Sequence, residues 1–451
     1  MPSSTSSGGE WTASSGESVG VGNVVLCNEA YAWVVRAHLL AEFCSGCMKR
    51  PSSVPLLQCQ ACRVVRYCNK NCSAHDWRLG GHKRECKHLA SMVAQLHNEG
   101  LDEARLLIRT FAGSTRPTEC GASTTNINTP LCCGSAHFRC MSQAAGVSEL
   151  GPQFESTPDQ IWCCAVLSKA RQVLQTGGVE VTLEELAGRL ARFRTNNFGV
   201  LDELFSLVGH GVYPGAALLQ HSCAPSCLLV YKGTTLHAIA LGSLKAGDEL
   251  THAYVDLCQP VRVRQRLLQE SHNFTCACPR CCEQLLVHSL DTPWLPTALE
   301  KDFMAAVNDV ADDPLAVRLL LERLPEHTSR AHALVELLLC EAAAGPFSCE
   351  GYAAACRAFE AALDAQRIEE SAELCRRLVS FLALALCHLP FHPLLGLQLF
   401  TLGDLCAVLG LKKDAAAFYN WCYEIVSKTH DAEISGGDLL ERLEASRATL
   451  F

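Results

Sequence analysis

Eight side chains of the types that bind zinc lie between Cys44 and Cys86, and their spacing constrains this chain more than any other feature. They are Cys44, Cys47, Cys59, Cys62, Cys68, Cys72, His82 and Cys86. Zn²⁺ takes four thiolate or imidazole ligands at tetrahedral corners, and a C-x2-C step lets one tight turn supply two of them. Eight ligands fill two sites and leave no open position. The spacing therefore predicts two structural zinc ions in a small module that folds around its metal.

Length and cysteine content limit the classes of protein to which this chain can belong. A chain of 451 residues predicts about two to four domains of roughly 100–200 residues each. Its 28 cysteines would suggest disulfides in a short secreted chain. The first twenty residues are rich in Ser and Gly and show no secretory leader, and the longest apolar stretch, near Leu378–Leu389, is too short to cross a bilayer. We therefore expect metal-bound and buried thiols in the cytoplasm, the nucleus or both, without membrane contact.

The charge distribution is uneven. A formal net charge of −9 argues against a protein devoted to nucleic acid, so DNA is not an expected partner. Between Cys44 and His88, however, there are nine Lys or Arg and two acidic residues, a local charge of +7. This patch could bind phosphates or acidic peptides. It could also offset the two zinc sites, whose seven thiolates outweigh the charge of two Zn²⁺ ions, and we favour that interpretation.

The N-terminal half alternates between β-type and helical patterns. Residues 1–20 are predicted to be disordered, and Val21–Val35 predicts one or two strands around an Asn-Glu-Ala break. Leu89–Phe111 predicts a helix, residues 114–148 a long loop or insert, and Leu183–Phe193 a helix capped by Thr182 with Glu185 three residues on. Short strands separated by turns are then predicted at Cys227–Tyr231, Thr235–Leu241 and Glu249–Tyr254.

After Trp294 the sequence is almost wholly helical in pattern. Amphipathic stretches recur at Leu315–Leu324, His332–Ala343, Tyr352–Ala365, Glu369–Leu389, Leu394–Leu409, Asp414–Lys428 and Leu439–Leu450. Hairpin-sized helices in series are typical of tetratricopeptide-type stacking, although the sequence shows no strict 34-residue period.

A second cysteine cluster, Cys276-x-Cys278-x2-Cys281, offers three ligands in six residues. Tetrahedral Zn²⁺ needs a fourth ligand, and the spacing leaves five candidates open: Cys282, Cys223, Cys227, Cys258 and His272. Adjacent Cys281 and Cys282 can hardly both face one ion, so a donor distant in sequence is favoured. Such a donor would fasten the cluster to the β-rich region.

Together these motifs resemble a known family. Residues 44–86 resemble a MYND zinc finger, Gln220-His221-Ser222-Cys223 and Gly247-Asp248-Glu249-Leu250 with Tyr254 are similar to the end of a SET domain, and Cys276–Cys281 resembles a post-SET motif. This order is that of the SET-and-MYND-domain (SMYD) protein lysine methyltransferases. The resemblance implies an α+β multidomain chain with the following segments: a disordered N-terminus (1–20), N-terminal SET strands (21–43), the finger (44–86), a helical SET insert (87–195), core SET (196–257), post-SET (258–290) and an all-α TPR-like domain (291–451).

The resemblance also implies roles for single residues. Asn196 and Asn197 before Phe198, the pair Gln220 and His221, and Phe274 would contact S-adenosylmethionine, while Tyr254 would be the catalytic tyrosine. Cys223 would complete the third zinc site with Cys276, Cys278 and Cys281. In the finger, Cys44, Cys47, Cys68 and Cys72 would hold one ion, and Cys59, Cys62, His82 and Cys86 the other. The implied cofactors are thus S-adenosylmethionine and three Zn²⁺, two of them in the finger.

The leading hypothesis is methylation of lysine on a histone tail or another protein, by a monomer. Methyl transfer from a sulfonium to an amine is an in-line displacement that depends mainly on orientation and a dry, preorganised site. The second hypothesis is a catalytically weak scaffold whose finger binds proline-rich peptides and whose helices hold a partner or chaperone tail. Three departures from the family pattern bear on activity: Gln220 in place of Asn, a poor match to the N-terminal glycine segment, and His272 where some members have an aromatic residue. The first two favour the scaffold.

Overall fold

The computed structural model describes residues 19–51, 55–113, 158–245, 247–282, 284, 313–315, 318–319, 349–430 and 437–450. The disorder expected for 1–20, the insert expected at 114–148, and the helices expected at 315–324 and 332–343 lie largely or wholly outside these residues. The chain divides into two compact units. The first comprises Met1–Gly16, Leu26–Leu219 and Val230–Ala238, and the second comprises Glu17–Val25, Gln220–Leu229 and Ile239–Phe451.

Ten short strands lie in the described ranges. They are β1 (Val24–Glu29), β2 (Ala32–Val35), β3 (Leu57–Gln58), β4 (Arg66–Tyr67), β5 (Asn197–Leu201), β6 (Leu207–Val212), β7 (Gln220–His221), β8 (Cys227–Lys232), β9 (Thr235–Ala240) and β10 (Thr251–His252). Their sheets have the orders β1-β9-β8, β2-β6-β5, β10-β7 and β3-β4.

Twelve α-helices accompany these strands in the same ranges. They are α1 (Lys70–His75), α2 (His82–Glu85), α3 (Leu89–Gln95), α4 (Asn98–Gly113), α5 (Pro158–Thr176), α6 (Leu183–Asn196), α7 (Val261–His272), α8 (Cys349–Asp364), α9 (Ile368–Ala385), α10 (Pro393–Val408), α11 (Lys412–Thr429) and α12 (Asp438–Ala448). The described helices offer no stretch that is both long and apolar enough to cross a membrane.

The sheet β2-β6-β5 is antiparallel and lies at the core of the first unit. All four residues of β2 are buried, and Trp33 pairs with Gly211 in the central strand β6. Gly209 is required in β6, because a Cβ there would lie 2.1 Å from the carbonyl oxygen of Val34. Helix α4 packs on β2 and on α5, and it buries an apolar face that includes Leu107.

Two expected boundaries in the first unit differ from the structure. The first expected strand region breaks at Ala30 and Tyr31, so Asn28 and Glu29 are still part of β1. The Asn28 side chain accepts hydrogen bonds from the backbone N–H groups of Gly215 and Ala216, which anchors this end of the strand. The helix expected over Leu89–Phe111 is two helices, since Leu96 is extended.

The described C-terminal part of the second unit consists of helices that pack against their neighbours in sequence. Helix α9 packs on α8 and α10, and α10 packs on α11. Close approach of α10 and α11 requires Gly403, where a Cβ would lie 2.5 Å from the ring of Tyr419. The Tyr419 hydroxyl donates to Asp404 at 2.6 Å, so its polar end is satisfied at the same contact. The apolar core of this unit also includes the cysteines of the 276–281 cluster.

Candidate metal centres and active site

Two C-x2-C knuckles of the cysteine-rich module (44–86) share one backbone geometry. In each, the residue after the second cysteine has a left-handed φ, 57° at Met48 and 55° at Arg63. The backbone N–H of that residue donates to the carbonyl of the first cysteine, at 2.8 Å for Met48 to Cys44 and at 2.9 Å for Arg63 to Cys59. The turn therefore aims two thiols at one point, as the spacing predicted.

Of the remaining donors of the module, Cys72 and His82 lie on short helices, Cys86 caps the end of α2, and Cys68 follows β4. Asn69 caps α1 by accepting from the N–H of Cys72 at 2.9 Å, which places Cys72 in the first helical turn. The N–H of Cys86 donates to the carbonyl of His82 at 2.9 Å, so these two donors lie one turn apart on the same face. Gly46 is required in the first knuckle, because a Cβ there would lie 2.4 Å from the carbonyl of Cys72.

The donor atoms form two groups of four. One group is Cys44, Cys47, Cys68 and Cys72, the other is Cys59, Cys62, His82 and Cys86, and within each all donor atoms lie within 4.8 Å of one another. The Sγ–Sγ distances are 3.7 Å for Cys47–Cys68 and 3.8 Å for Cys59–Cys86, and Cys62 Sγ lies 3.7 Å from His82 Nε2. Tetrahedral Zn²⁺ places neighbouring donors about 3.5–3.8 Å apart, whereas a disulfide would place them about 2.05 Å apart. Both groups fit zinc.

A buried ionic network adjoins the second group. Glu85 Oε1 lies 3.3 Å from His82 Nδ1 and accepts from Arg109 Nη2 at 2.6 Å and from Arg105 Nη2 at 3.2 Å. Arg109 Nη1 also donates to Asp76 Oδ1 at 2.7 Å. Burial alone would raise the pKa of Glu85, but the two guanidinium groups lower it well below its ordinary value. The charges of the network are thus paired.

A third group of donors assembles in the second unit from Cys223, Cys276, Cys278 and Cys281, again within 4.8 Å of one another. Of the candidates that spacing left open for the fourth position, the described cluster contains Cys223 and excludes the other four, namely Cys227, Cys258, Cys282 and His272. The side chain of Gln265 on α7 fixes the cluster by bonding both the N–H and the carbonyl of Cys276, each at 2.8 Å.

Two buried arginines brace this third group. Arg264 is fully buried, and its Nε donates to Cys223 Sγ at 3.3 Å while Nη2 lies 3.9 Å from Cys281 Sγ. Arg280 donates to the carbonyls of Cys223 and Leu257 at 3.2 and 3.1 Å. Four thiolates around one Zn²⁺ would leave a net negative charge in a buried place, and the Arg264 guanidinium would offset it.

Replacing Arg264 by Met is expected to lower the free energy of unfolding by about 3–5 kcal/mol and to reduce bound zinc, because the thiolates lose their buried counter-charge. Arg266→Met is the matched control on the same helix. The Arg266 side chain is 67% exposed and lies 3.9 Å from Glu270, so little change is expected. Denaturant unfolding and metal analysis of both proteins check the prediction, and equal effects of the two substitutions would contradict it.

Tyr254 lies in a cluster of rings in the second unit. Its ring centroid is 4.7 Å from that of His252, 4.8 Å from His272 and 5.2 Å from His221. Phe274 meets the tyrosine ring edge-on at 6.5 Å. The ring of Tyr254 is therefore held on several sides by aromatic neighbours, and none of these contacts uses its hydroxyl group.

His221 connects this ring cluster to the third metal group. The backbone N–H of Tyr254 donates to His221 Nδ1 at 3.0 Å, and His221 Nε2 lies 3.2 Å from Cys223 Sγ. Because Nδ1 accepts a hydrogen bond, the ring proton lies on Nε2 and points at the sulfur. The parallel pairing of β7 with β10, with His221 opposite His252, sets this arrangement.

The electrostatics of the cluster favour uncharged side chains. Burial raises the pKa of Tyr254 to about 12, so its hydroxyl keeps its proton at neutral pH. Burial lowers the pKa of His252 to about 4, and it also lowers the pKa of His272. These groups are therefore neutral at pH 7, and a cation placed beside them meets no positive charge from them.

The residues predicted to bind the cofactor are divided between the units. His221 and Phe274 lie in the ring cluster with Tyr254, with ring centroids 5.8 Å apart, and Gln220 precedes His221 on β7 with an exposed side chain. Asn196 and Asn197 belong to the first unit, at the end of α6 and the start of β5. The Asn196 amide donates to the carbonyl of Arg192 at 2.9 Å.

Comparisons with known proteins match the finger and find lysine methyltransferases among the relatives. The family model of the MYND finger matches residues 44–86. The chain is 22% identical to the histone-lysine N-methyltransferase ASHR1 of Arabidopsis thaliana over 95% of the chain and 91% of that protein. It is 28% identical to the N-lysine methyltransferase SMYD2 of Homo sapiens over 58% of the chain and 55% of that protein, and 27% identical to SMYD2 of Gallus gallus over 60% and 59%. The chain thus spans just over half the length of these two SMYD2 relatives.

Residues 44–86 belong to the MYND finger family, and the chain as a whole is similar to lysine methyltransferases of the SET-and-MYND-domain family. Its module 44–86 is a MYND zinc finger, and its described residues combine mixed α/β structure with a helical C-terminal region. The family's recognisable motifs did not reveal the buried partners of the metal groups. Glu85, Arg105, Arg109 and Arg264 were not predicted, although one signal was available. Arg105 and Arg109 are spaced i, i+4 and flank the apolar run 106–108 of α4, so they lie beside residues expected to be buried.

Proposed function

We propose that this chain is a SET-and-MYND-domain protein-lysine N-methyltransferase that uses S-adenosylmethionine. The observation that carries the proposal is the ring cluster around Tyr254, which His221 connects to a group of four metal-binding cysteines. The relatives' names support the same chemistry, since they are lysine methyltransferases. The substrate class we propose is a lysine-bearing segment of a histone or another protein.

The proposal extends to the architecture. Residues 21–43 and 196–257 would form the SET fold, 87–195 its helical insert, 258–290 the post-SET segment and 291–451 a TPR-like domain. Support comes from the short strands β5–β10, the cysteine group that joins Cys223 to the 276–281 cluster, and the packing of α8–α11 on their neighbours in sequence. Each of the three donor groups would hold one Zn²⁺, because each offers four thiolate or imidazole donors at short mutual distance.

The residues around Tyr254 fit a cationic cofactor. A sulfonium cation is stabilised by aromatic surfaces and is repelled by positive charge, and the Phe274 and Tyr254 rings lie beside histidines that are neutral at pH 7. We propose that Phe274, His221 and Gln220 hold the cofactor. The cofactor contacts expected of Asn196 and Asn197, which lie in the first unit, are proposed from the family resemblance alone. S-adenosylmethionine supplies, when bound, a methyl group on a positively charged sulfur.

Tyr254 would orient the amine. Its hydroxyl is protonated at neutral pH, so it can donate a hydrogen bond or accept one from a neutral amine without adding charge. The backbone bond from Tyr254 to His221 and the ring contacts restrict where the hydroxyl can point. Orientation of this kind supplies much of the rate enhancement when a reaction needs little covalent chemistry from the protein.

Cofactor binding tests the proposal. S-adenosylhomocysteine at about 100 times its Kd is expected to stabilise the chain by about 2.7 kcal/mol, seen as a higher thermal midpoint and as heat in calorimetry. Phe274→Leu is expected to weaken binding about tenfold, because the leucine side chain has no aromatic face. Phe359→Leu is the matched control, since Phe359 lies on α8 and packs against the core.

Absence of binding by a folded, zinc-loaded chain would contradict the methyltransferase proposal and favour the scaffold. The scaffold hypothesis is supported by Gln220, which stands where the family has Asn and whose side chain is exposed. In that case the MYND finger would act as a protein-interaction module for proline-rich peptides. A labelled-methyl assay on histones and cell extract then separates an active enzyme from a chain that binds cofactor without transferring methyl groups.

A further inference from the structure

The second metal group of the MYND finger is connected to helix α4 by side chains with no exposure to solvent. Glu85, Arg105 and Arg109 each have side-chain exposures of 0%, and His82 has 2%. Glu85 belongs to α2 of the finger, while both arginines belong to α4, outside the finger. Direct hydrogen bonds and ion pairs between buried side chains therefore connect a metal donor to the core of the first unit.

The two ring nitrogens of His82 have different partners. His82 Nε2 faces Cys62 Sγ at 3.7 Å and is the metal-binding nitrogen, whereas Nδ1 faces Glu85 Oε1 at 3.3 Å. A carboxylate at Nδ1 fixes the proton on that nitrogen, leaves Nε2 free to bind metal, and fixes the plane of the ring. Glu85 thus performs for His82 what an orienting carboxylate performs in other histidine–zinc sites.

The arginines extend the connection to strand β2. Arg105 donates to the carbonyl of Val35 at 3.1 Å, and Arg109 donates to the carbonyl of Trp33 at 2.9 Å. Arg109 also binds Asp76, whose other oxygen accepts from the Tyr67 hydroxyl at 2.8 Å. With two carboxylates and two guanidinium groups in one buried place, removal of any member leaves an uncompensated charge.

We propose that Glu85 is a positioning residue for His82 and that, through Arg105 and Arg109, the zinc at Cys59, Cys62, His82 and Cys86 stabilises helix α4. The finger is in this respect part of the first unit's core. The other metal group of the finger, at Cys44, Cys47, Cys68 and Cys72, is reached from α4 less directly: Arg109 binds Asp76, whose backbone N–H donates to the carbonyl of Cys72.

Zinc release from the full-length chain tests the positioning role. In Glu85→Gln, zinc of the second group is expected to be lost to a chromophoric chelator about 10–100-fold faster, with the remaining zinc released at the original rate. Glu42→Gln is the matched control, because Glu42 is 51% exposed and pairs with exposed Arg50. Release of all zinc at the original rate, or equal acceleration of every equivalent, would overturn the proposal.

Hydrogen exchange tests the connection to α4 without altering Glu85, whose substitution could impair folding. Cys59→Ser removes a donor of the second group, and Cys72→Ser removes one of the first. Amides of α4 are expected to exchange at least about tenfold faster in Cys59→Ser, and at nearly the original rate in Cys72→Ser. Unchanged exchange in Cys59→Ser, or the same increase in both variants, would show that the second zinc does not support α4.

Discussion

Tyr254→Phe is expected to lower the rate constant of the proposed methyl transfer on the order of 100-fold while leaving cofactor affinity within about a factor of two. The substitution removes only the hydroxyl. The ring contacts to His252 and His272 and the backbone bond to His221 do not depend on that oxygen, so the fold of the cluster should survive. The loss corresponds to about 2.7 kcal/mol of transition-state stabilisation.

The measurement is single-turnover methylation with labelled cofactor, together with calorimetry using S-adenosylhomocysteine. Tyr423→Phe is the matched control, since Tyr423 belongs to α11 and offers its ring face to Arg447 at 4.3 Å, a contact that phenylalanine preserves. An unchanged rate in Tyr254→Phe would exclude a catalytic role for the hydroxyl. Parallel loss of rate and cofactor affinity would indicate a structural role in place of a catalytic one.

Helices of the C-terminal region could be predicted from the sequence because their pattern is strongly periodic. The stretch expected at Asp414–Lys428 is helix α11, Lys412–Thr429, and that expected at Leu394–Leu409 is α10, Pro393–Val408. The cap predicted at Thr182 is also confirmed, since its side chain accepts from the N–H of Glu185 at 3.1 Å. Periodicity and capping involve residues within one or two helical turns of one another, so both can be recognised in a single sequence.

The strand expected at Glu249–Tyr254 is longer than the strand in the structure, because its ends are set by contacts with residues distant in sequence. Only Thr251 and His252 form β10, because the partner strand β7 is itself only two residues long. The chain then leaves the sheet, and the N–H of Tyr254 donates to His221 Nδ1 in place of a strand partner. Nothing in the strand pattern specifies this, since the acceptor is 33 residues away in sequence.

The buried charges could not be predicted for a similar reason. Arg109 is 33 residues from Asp76 and 24 from Glu85, and each of these side chains alone has the pattern of a solvated charge. The metal donors, in contrast, could be predicted, because tetrahedral coordination of zinc restricts how their residues are spaced in the sequence. Short C-x2-C steps limit the choice of partner, and resemblance to a family specified which knuckle joins which donor. The roles predicted for Asn196, Asn197, Gln220, His221 and Phe274 stay predictions that cofactor binding can test.

Cys276→Ser is expected to remove one equivalent of zinc and to destabilise the second unit, whereas Cys282→Ser should do neither. Cys276 is buried in the third donor group, while Cys282 is exposed and its thiol donates to the Ala277 carbonyl at 3.3 Å. A serine hydroxyl does not replace a thiolate as a zinc ligand, and structural zinc supplies about 10–16 kcal/mol of apparent binding free energy.

Partial loss of that energy should lower the thermal midpoint of the second unit by about 10 °C. It should also release Arg264 and His221 from their sulfur contacts, since both side chains meet Cys223. Because His221 also accepts from the Tyr254 N–H, S-adenosylhomocysteine affinity is expected to fall together with zinc content. Metal analysis, thermal unfolding and calorimetry on the two cysteine variants separate these effects. If Cys276→Ser kept its full zinc content and thermal midpoint, the third donor group would not be a structural zinc site.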